Sequence, residues 1–296
     1  MTEARTGVGT AGARAYSAHM PRTATIHSLH VYPVKSCHGL DLQEALLGPR
    51  GFVGDREWML VDGAGRFITQ RTQPRLARLL VSPGADCRLR LDYEGLPPLM
   101  LDPALTAAQG ALRRVRIWDD QVEARSAGRS ASDWFSMVLG CAVDAVDAVL
   151  AGPWTRREPS GSWHGDTAAP VNFPDGYPLL VCSTASLADL AGRMAEPVPM
   201  NRFRPNIVLS GLEPYEEDRL DSLRCGGVTL RPVKACTRCS TTLVDQQTGL
   251  TGSNPLQALQ AYRYDRELKG ATFGQNVVLV AGAGLTLRVG DRFDCD

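Results

Sequence analysis

The chain has 296 residues, 44% of them hydrophobic and 22% charged, which supports one or two ordinary globular domains and excludes a disordered or fibrous protein. Lysine plus arginine number 32 and aspartate plus glutamate number 32, so the formal net charge is zero. Affinity drawn from neutralising phosphates needs a basic excess, and a nucleic-acid polymer is therefore not an expected partner.

Residues 1–24 are rich in Gly, Ala, Thr and Arg, lack the compact apolar core of a secretory signal, and read as a disordered tail. From residue 25 to about 150 short strands follow one another. Ile26 to Val34 alternates loosely. Trp58 to Val61 and Phe67 to Thr69 flank Asp62-Gly63-Ala64-Gly65, a hairpin signal. Leu89 to Tyr93, Val115 to Trp118 and Val122 to Arg125 continue the pattern, which argues for a barrel or sandwich over a parallel α/β sheet. Arg113-Arg114-Val115-Arg116 is a basic cluster whose simplest reading is a solvated strand edge. Ser130 to Leu139 switches to helical spacing, with Trp134, Phe135, Val138 and Leu139 on one face, Ser130 or Ser132 as cap and Gly140 as stop.

Residues 151–178 hold five prolines, and the expected domain junction falls there, dividing the chain into units of 25–150 and 151–296. In the second unit, strands are predicted at Leu179 to Cys182, Ile207 to Leu209, Val228 to Val233, Thr241 to Val244, Val277 to Val280 and Leu285 to Val289. Helices are predicted at Ala185 to Met194 and at Pro255 to Tyr262, the latter capped by Asn254. No apolar run reaches the ~20 residues of a membrane helix, so no membrane span is expected and the cytoplasm is the expected location.

Of the eight cysteines, Cys37, Cys87, Cys141, Cys182, Cys225 and Cys295 are isolated, as suits small buried hydrophobes in a reducing compartment. Cys236 and Cys239 form the close pair Cys236-x-x-Cys239. A redox dithiol, half of a zinc site and a merely structural pair all fit that spacing. Arg238 beside Cys239 favours the thiolate that binds soft metals. Lys35-Ser36, Arg56 and Arg204-Pro205-Asn206 each lie beside a predicted strand end. Such cations with amide and hydroxyl donors suit a small anion bearing a phosphate and polar ring edges.

In this order the motifs become specific. Val31-Tyr32-Pro33-Val34-Lys35-Ser36-Cys37 and Gly54-Asp55-Arg56-Glu57-Trp58 resemble the N-terminal β-barrel segment of MOSC proteins. Ser186-Leu187-Ala188-Asp189-Leu190, Arg202 to Val208, Ala235 to Cys239, Thr241 to Asp245, Phe273-Gly274-Gln275-Asn276 and Val289-Gly290-Asp291 resemble the MOSC domain. The resemblance extends to the amidoxime-reducing members of that family. The resemblance implies a mainly β fold with a few short helices: a barrel-like MOSC domain plus a smaller β-rich N-terminal domain.

It also implies a molybdenum cofactor (molybdenum on the dithiolene of a phosphorylated pterin) in a cleft between the two. Residue by residue, it implies Cys239 as the molybdenum ligand and Lys35, Ser36, Arg56, Arg204, Asn206, Thr237, Arg238 and Asn276 as cofactor contacts. The resemblance implies Asp175, in Phe173-Pro174-Asp175-Gly176-Tyr177-Pro178, near the metal; oxygen removal consumes two protons, which makes a proton relay one reading of it, and a plain turn residue between Pro and Gly the other. The implied activity is reduction of N-hydroxylated compounds (amidoximes, hydroxylamines, N-hydroxylated bases) with electrons from a separate ferredoxin- or cytochrome-type protein and its reductase. The rival is a non-catalytic carrier of cofactor or sulfur. Sulfurase-type members add pyridoxal phosphate binding as a family-level association. The chain departs from the amidoxime-reducing pattern at Gly176-Tyr177, where Thr-Ser is usual, and at Asn276, where tyrosine is usual. It contains neither a Gly-x-Gly-x-x-Gly after a strand nor the C-x₄-C-x₂-C spacing of a plant-type ferredoxin cluster.

Overall fold

The computed structural model describes residues 22–85, 88–148 and 171–296. Most of the expected tail, residues 1–21, lies outside the described residues, as do residues 149–170 of the expected junction. The first strand, Arg22–Val31, begins inside the stretch read as tail, because Arg22 to Thr25 pair with Arg292–Cys295. A tail composition hid a strand whose partner is the far end of the chain.

The fold is mainly β. Seven strands close a barrel in the order Leu179–Ser183, Ile207–Ser210, Arg22–Val31, Arg292–Cys295, Leu223–Cys225, Val228–Thr237 and Gly270–Ala281, the last pairing back to the first. Period-2 alternation decides what each strand buries. Leu179 and Val181 join Ile26, Leu29, Leu230 and Phe293 in the barrel interior. Leu180 and Cys182 face outward, where they pack with Leu190 of the helix Thr184–Gly192 and Leu259 of the helix Pro255–Tyr262. Both faces are covered, which is why Leu179–Ser183 is buried throughout. The barrel takes Arg22–Val31 from the first half of the sequence, so it is not built from residues 151–296 alone.

Most of the rest of the first half forms an antiparallel four-stranded sheet of Trp58–Asp62, Val143–Ala148, Asp120–Ser126 and Leu112–Ile117 and a three-stranded sheet of Leu80–Pro83, Leu89–Asp92 and Leu99–Leu101, while Glu44–Gly48 pairs with Gly51–Phe52 and with Thr286–Arg288 from the second half. The helix Arg129–Leu139 buries Trp134, Phe135, Val138 and Leu139 as its periodicity predicts, and Gly140 ends it in the left-handed region. Its start differs from expectation: Gly128 is the cap, because Ser132 Oγ is committed to Asp144 Oδ1 at 2.7 Å. The predicted strand Thr241 to Val244 is a 3₁₀ turn, Ser240–Leu243. There the Cys239 carbonyl accepts from the Thr242 N–H at 3.1 Å and its hydroxyl at 3.0 Å, local bonding that outcompetes the β preference of threonine.

The strand Gly270–Ala281 carries a bulge, since Ala235 pairs with Gln275 whereas Thr237 pairs with Thr272. Gly274 sits in it with φ +79°, and a Cβ there would lie 2.6 Å from Cys182 Sγ and 2.7 Å from Val181 O. Bulges re-aim side chains beside sites, and this one sets where Asn276 emerges. Gly274→Ala is expected to lower stability by about 1–3 kcal/mol, read as a shifted denaturant midpoint at unchanged slope. A midpoint equal to wild type would show that the bulge relaxes freely.

Candidate functional site

A cleft opens where the barrel rim meets the N-terminal sheets, enclosing about 820 Å³ of empty space with its open mouth counted. All ten residues singled out in the sequence line it: Lys35, Ser36, Arg56, Asp175, Arg204, Asn206, Thr237, Arg238, Cys239 and Asn276. They arrive from separate places. Lys35 and Ser36 follow the strand Arg22–Val31, Arg56 precedes Trp58–Asp62, and Arg204 and Asn206 precede Ile207–Ser210. Thr237 ends the strand Val228–Thr237, and Cys239 caps the 3₁₀ turn after it.

Three of these residues are held in left-handed backbone: Ser36 at φ +67°, Arg56 at +49° and Arg204 at +54°. Side-chain-bearing residues resist that region, and a fold that keeps three of them around one cleft is holding strain at a place where geometry matters.

The cations are fixed by a web that joins both halves of the chain. Two guanidiniums contact the Tyr32 ring, Arg56 at 4.6 Å and Arg204 at 4.1 Å from its centroid, while its hydroxyl donates to Pro205 O at 2.9 Å. Arg56 Nη1 donates to Asp55 Oδ2 at 2.5 Å and to Asn206 Oδ1 at 3.2 Å. Arg204 Nη1 donates to Cys37 O at 2.8 Å and to Gln246 Oε1 at 3.2 Å. Gln246 and Gln70 exchange amide bonds of 3.0 Å, and Gln70 also donates to Ser36 O. Lys35 Nζ donates to Phe173 O at 2.9 Å and to Asp175 Oδ1 at 2.5 Å.

Two buried guanidinium donors of the cleft are left over, beside the unpartnered Tyr177 hydroxyl. Arg204 Nη2 and Arg238 Nε have no hydrogen-bond partner among the described residues. Burial lowers the Arg204 guanidinium to about 10, with Arg56 adding to the effect. A buried, unpaired cationic donor is unfavourable until an acceptor arrives, and an anion in the cleft is such an acceptor.

Desolvation would raise the Asp175 carboxyl, but it is minor for a side chain 68% exposed. Lys35, then Arg56 and Arg71, hold it well below the usual carboxylate range. Exposure also screens the ion pair, so its contribution to stability is small.

The two thiols of the pair differ. Cys239 is exposed and donates to Thr241 Oγ1 at 3.3 Å, whereas Cys236 is half-buried and accepts from Arg238 Nη1 at 2.8 Å. By contrast, burial pushes Cys37 up to about 12 and Cys182 well above the ordinary thiol value, leaving both as inert core residues. Among the described residues no three His, Cys, Asp or Glu side chains gather closely enough to hold a metal. A metal held at Cys239 would have to bring most of its own ligands. That donor set, one available thiol ringed by cations and amides, fits a metal carried on an anionic organic ligand.

Residues 23–142 match the family described as the MOSC N-terminal beta barrel domain, and residues 168–294 match the MOSC domain. Mitochondrial amidoxime-reducing component 1 of Homo sapiens is 34% identical over 287 residues, covering 92% of this chain and 83% of that protein. The chain belongs to the MOSC family. Mitochondrial amidoxime reducing component 2 of Bos taurus is also 34% identical, over 82% of this chain and 74% of its own length. Molybdenum cofactor sulfurase of Bos taurus is 25% identical over 92% of this chain, which matches 32% of that longer protein.

Sequence reasoning passed over several residues that shape this MOSC cleft. Tyr32 lay inside a quoted motif without a role, because nothing local marks a ring that two distant arginines will contact. Gln70 and Gln246 are 176 positions apart. Arg71 and Phe203 also line the cleft. Arg71 precedes Thr72-Gln73-Pro74, a loop-like stretch that gave no signal.

Proposed function

We propose that this MOSC protein is a molybdenum-cofactor-dependent reductase of N-hydroxylated compounds such as amidoximes, hydroxylamines and N-hydroxylated bases, supplied with electrons by a separate protein. The observation that carries the reading is the pairing of one exposed thiol, Cys239, with buried guanidinium donors that lack an acceptor. Relatives at 34% identity named for amidoxime reduction support it.

When bound, the cofactor supplies the redox centre at which an N–O bond is reductively cleaved and oxygen leaves as water. Cys239 would give the metal its protein thiolate. Lys35, Arg56, Arg204 and Arg238 would hold the anionic pterin, with Ser36, Asn206, Thr237 and Asn276 offering polar contacts along it. Asp175 is held ionised beside Lys35 and so orients that lysine; proton delivery from Asp175 requires the ion pair to open. Pyridoxal phosphate has weaker support, since it is held through a lysine Schiff base and the lysine of this cleft is engaged by Asp175 and Phe173 O.

The carrier reading keeps one supporting observation, the likeness to the sulfurase along 92% of this chain. Cofactor-loaded protein with N-hydroxybenzamidine and a chemically reduced viologen separates the two. Benzamidine formation over many turnovers is expected, and none would leave the carrier. With NADH alone no turnover is expected. Adding a ferredoxin or cytochrome and its reductase should restore it, with a rate that falls as salt rises, because transient redox contacts are small and partly electrostatic. Robust NADH turnover without any partner would refute this part.

Among the described residues no helix is long and apolar enough to cross a membrane. A cytoplasmic location, set against relatives whose names carry the word mitochondrial, is part of the proposal, and cell fractionation decides it.

A further inference from the structure

The rim of the cleft carries a cation that the cofactor reading does not use. Arg71 lines the cleft beside Thr69 and Asp175. Its guanidinium lies 4.4 Å from the centroid of the Trp118 ring and 5.9 Å from that of Phe67, and those two rings meet at 5.1 Å. Thr69 Oγ1 accepts from Arg71 Nε at 3.3 Å. The ring contact and the hydroxyl together restrain the guanidinium, while Nη1 and Nη2 make no hydrogen bond to any described residue.

Trp118 is a costly residue where it stands. Ile117 pairs with Asp120, so Trp118 and Asp119 form a two-residue hairpin loop. Trp118 is the first of them and has φ +54°, a conformation that glycine adopts at low cost in such loops. The residue is 39% exposed, so burial does not account for it. What it touches is Phe67 and Arg71. Strain of this kind persists where the surrounding structure needs the side chain.

We propose that Arg71, held against the Trp118 ring, is a specificity-determining anion site for the substrate. The protein then prefers N-hydroxylated compounds that carry an oxyanion group, carboxylate or phosphate, over neutral ones. This rests on the reductase reading above and deepens it. Lys35, Arg56, Arg204 and Arg238 each donate to protein groups deeper in the cleft. Arg71 is the half-buried rim cation with both terminal donors open. A planar fork with two parallel N–H groups matches carboxylate and phosphate geometry, which a lysine would not reproduce. Trp118 acts as a positioning residue through Arg71.

The test uses cofactor-loaded protein and three probes: N-hydroxybenzamidine, its 4-carboxylate and its 4-phosphonate. The readouts are kcat and KM taken separately, molybdenum per chain, and calorimetric binding of the non-reducible product 4-carboxybenzamidine. Wild type should favour at least one anionic probe in kcat/KM by roughly tenfold or more, the effect expected of a charge-assisted bond. The two anionic arms show which oxyanion is meant. Arg71→Gln should erase that ratio through KM while molybdenum content is retained. Trp118→Ala should move the ratio the same way by a smaller factor, and Trp118→Phe should restore most of it. Equal changes for neutral and anionic probes, or loss of molybdenum in Arg71→Gln, would overturn the proposal. If the protein turns over no probe yet still binds 4-carboxybenzamidine in an Arg71-dependent way, the reductase reading fails and the anion site stands. If neither turnover nor binding depends on Arg71, the anion site fails.

Discussion

Cys239→Ser is expected to strip molybdenum from the protein or to lower turnover at least hundredfold, the upper end of what losing outer-shell support alone costs a metal site. Cys236→Ser should largely keep both. The asymmetry follows from where the two sulfurs sit. Cys239 is exposed in the cleft at the start of a 3₁₀ turn, with a single weak bond to Thr241. The Cys236 sulfur is already engaged by Arg238, and a serine oxygen can accept the same N–H. Cys236→Ala should do more harm than Cys236→Ser, because Arg238 Nη1 would join Arg238 Nε as a buried donor without an acceptor. Molybdenum per chain and kcat are the measurements. Equal losses in Cys236→Ser and Cys239→Ser would point instead to a dithiol or to a metal held by both sulfurs.

Tyr32→Ala should be the most damaging single change to the frame of the cleft. The side chain is 3% exposed, and its loss leaves a cavity worth about 3–5 kcal/mol by the precedent of large aromatic truncations. It also frees Arg56 and Arg204, whose guanidiniums contact the ring. Tyr32→Phe keeps the ring and loses only the bond to Pro205 O, so about 1 kcal/mol is expected. Gly39→Ala should also destabilise, since the added Cβ would lie 2.5 Å from Tyr32 Cε1 in a ring that two cations contact. Denaturant unfolding measures all three. A Tyr32→Ala protein within about 1 kcal/mol of wild type would mean that the ring does not hold the frame of the cleft together.

Short-range chemistry was the legible part of this protein. The helix Pro255–Tyr262 was readable to the residue, because Asn254 accepts from Gln257 N and Pro255 sits at the first helical position. The cations and the cysteine pair were readable because each lay in a compact motif at a strand end. What stayed hidden was long-range. Closure of the barrel by Arg22–Val31 depends on Ile207–Ser210 and on Arg292–Cys295, the second nearly a chain length away, and no local pattern announces that pairing. The strand Arg292–Cys295 alternates exposed and buried, yet four residues with two charges carry too little periodicity to be called. Thr241 to Val244 misled because β-branched composition outweighed the hydroxyl-to-backbone bonds that wind it into a turn. Trp118 and Arg71 were invisible as a pair for the same reason as Gln70 and Gln246: only the fold brings them together.

Whether this cleft holds a molybdenum cofactor is tested most directly by the metal and pterin content of the purified protein. The protein would be purified from cells that make the cofactor, with molybdenum and zinc read by mass spectrometry and pterin by the fluorescence of its oxidised form. The expected result is about one molybdenum and about one pterin per chain, both lost in Cys239→Ser while the circular dichroism spectrum is kept. Folded protein from the same cells that carries zinc, or neither metal nor pterin, would contradict the account.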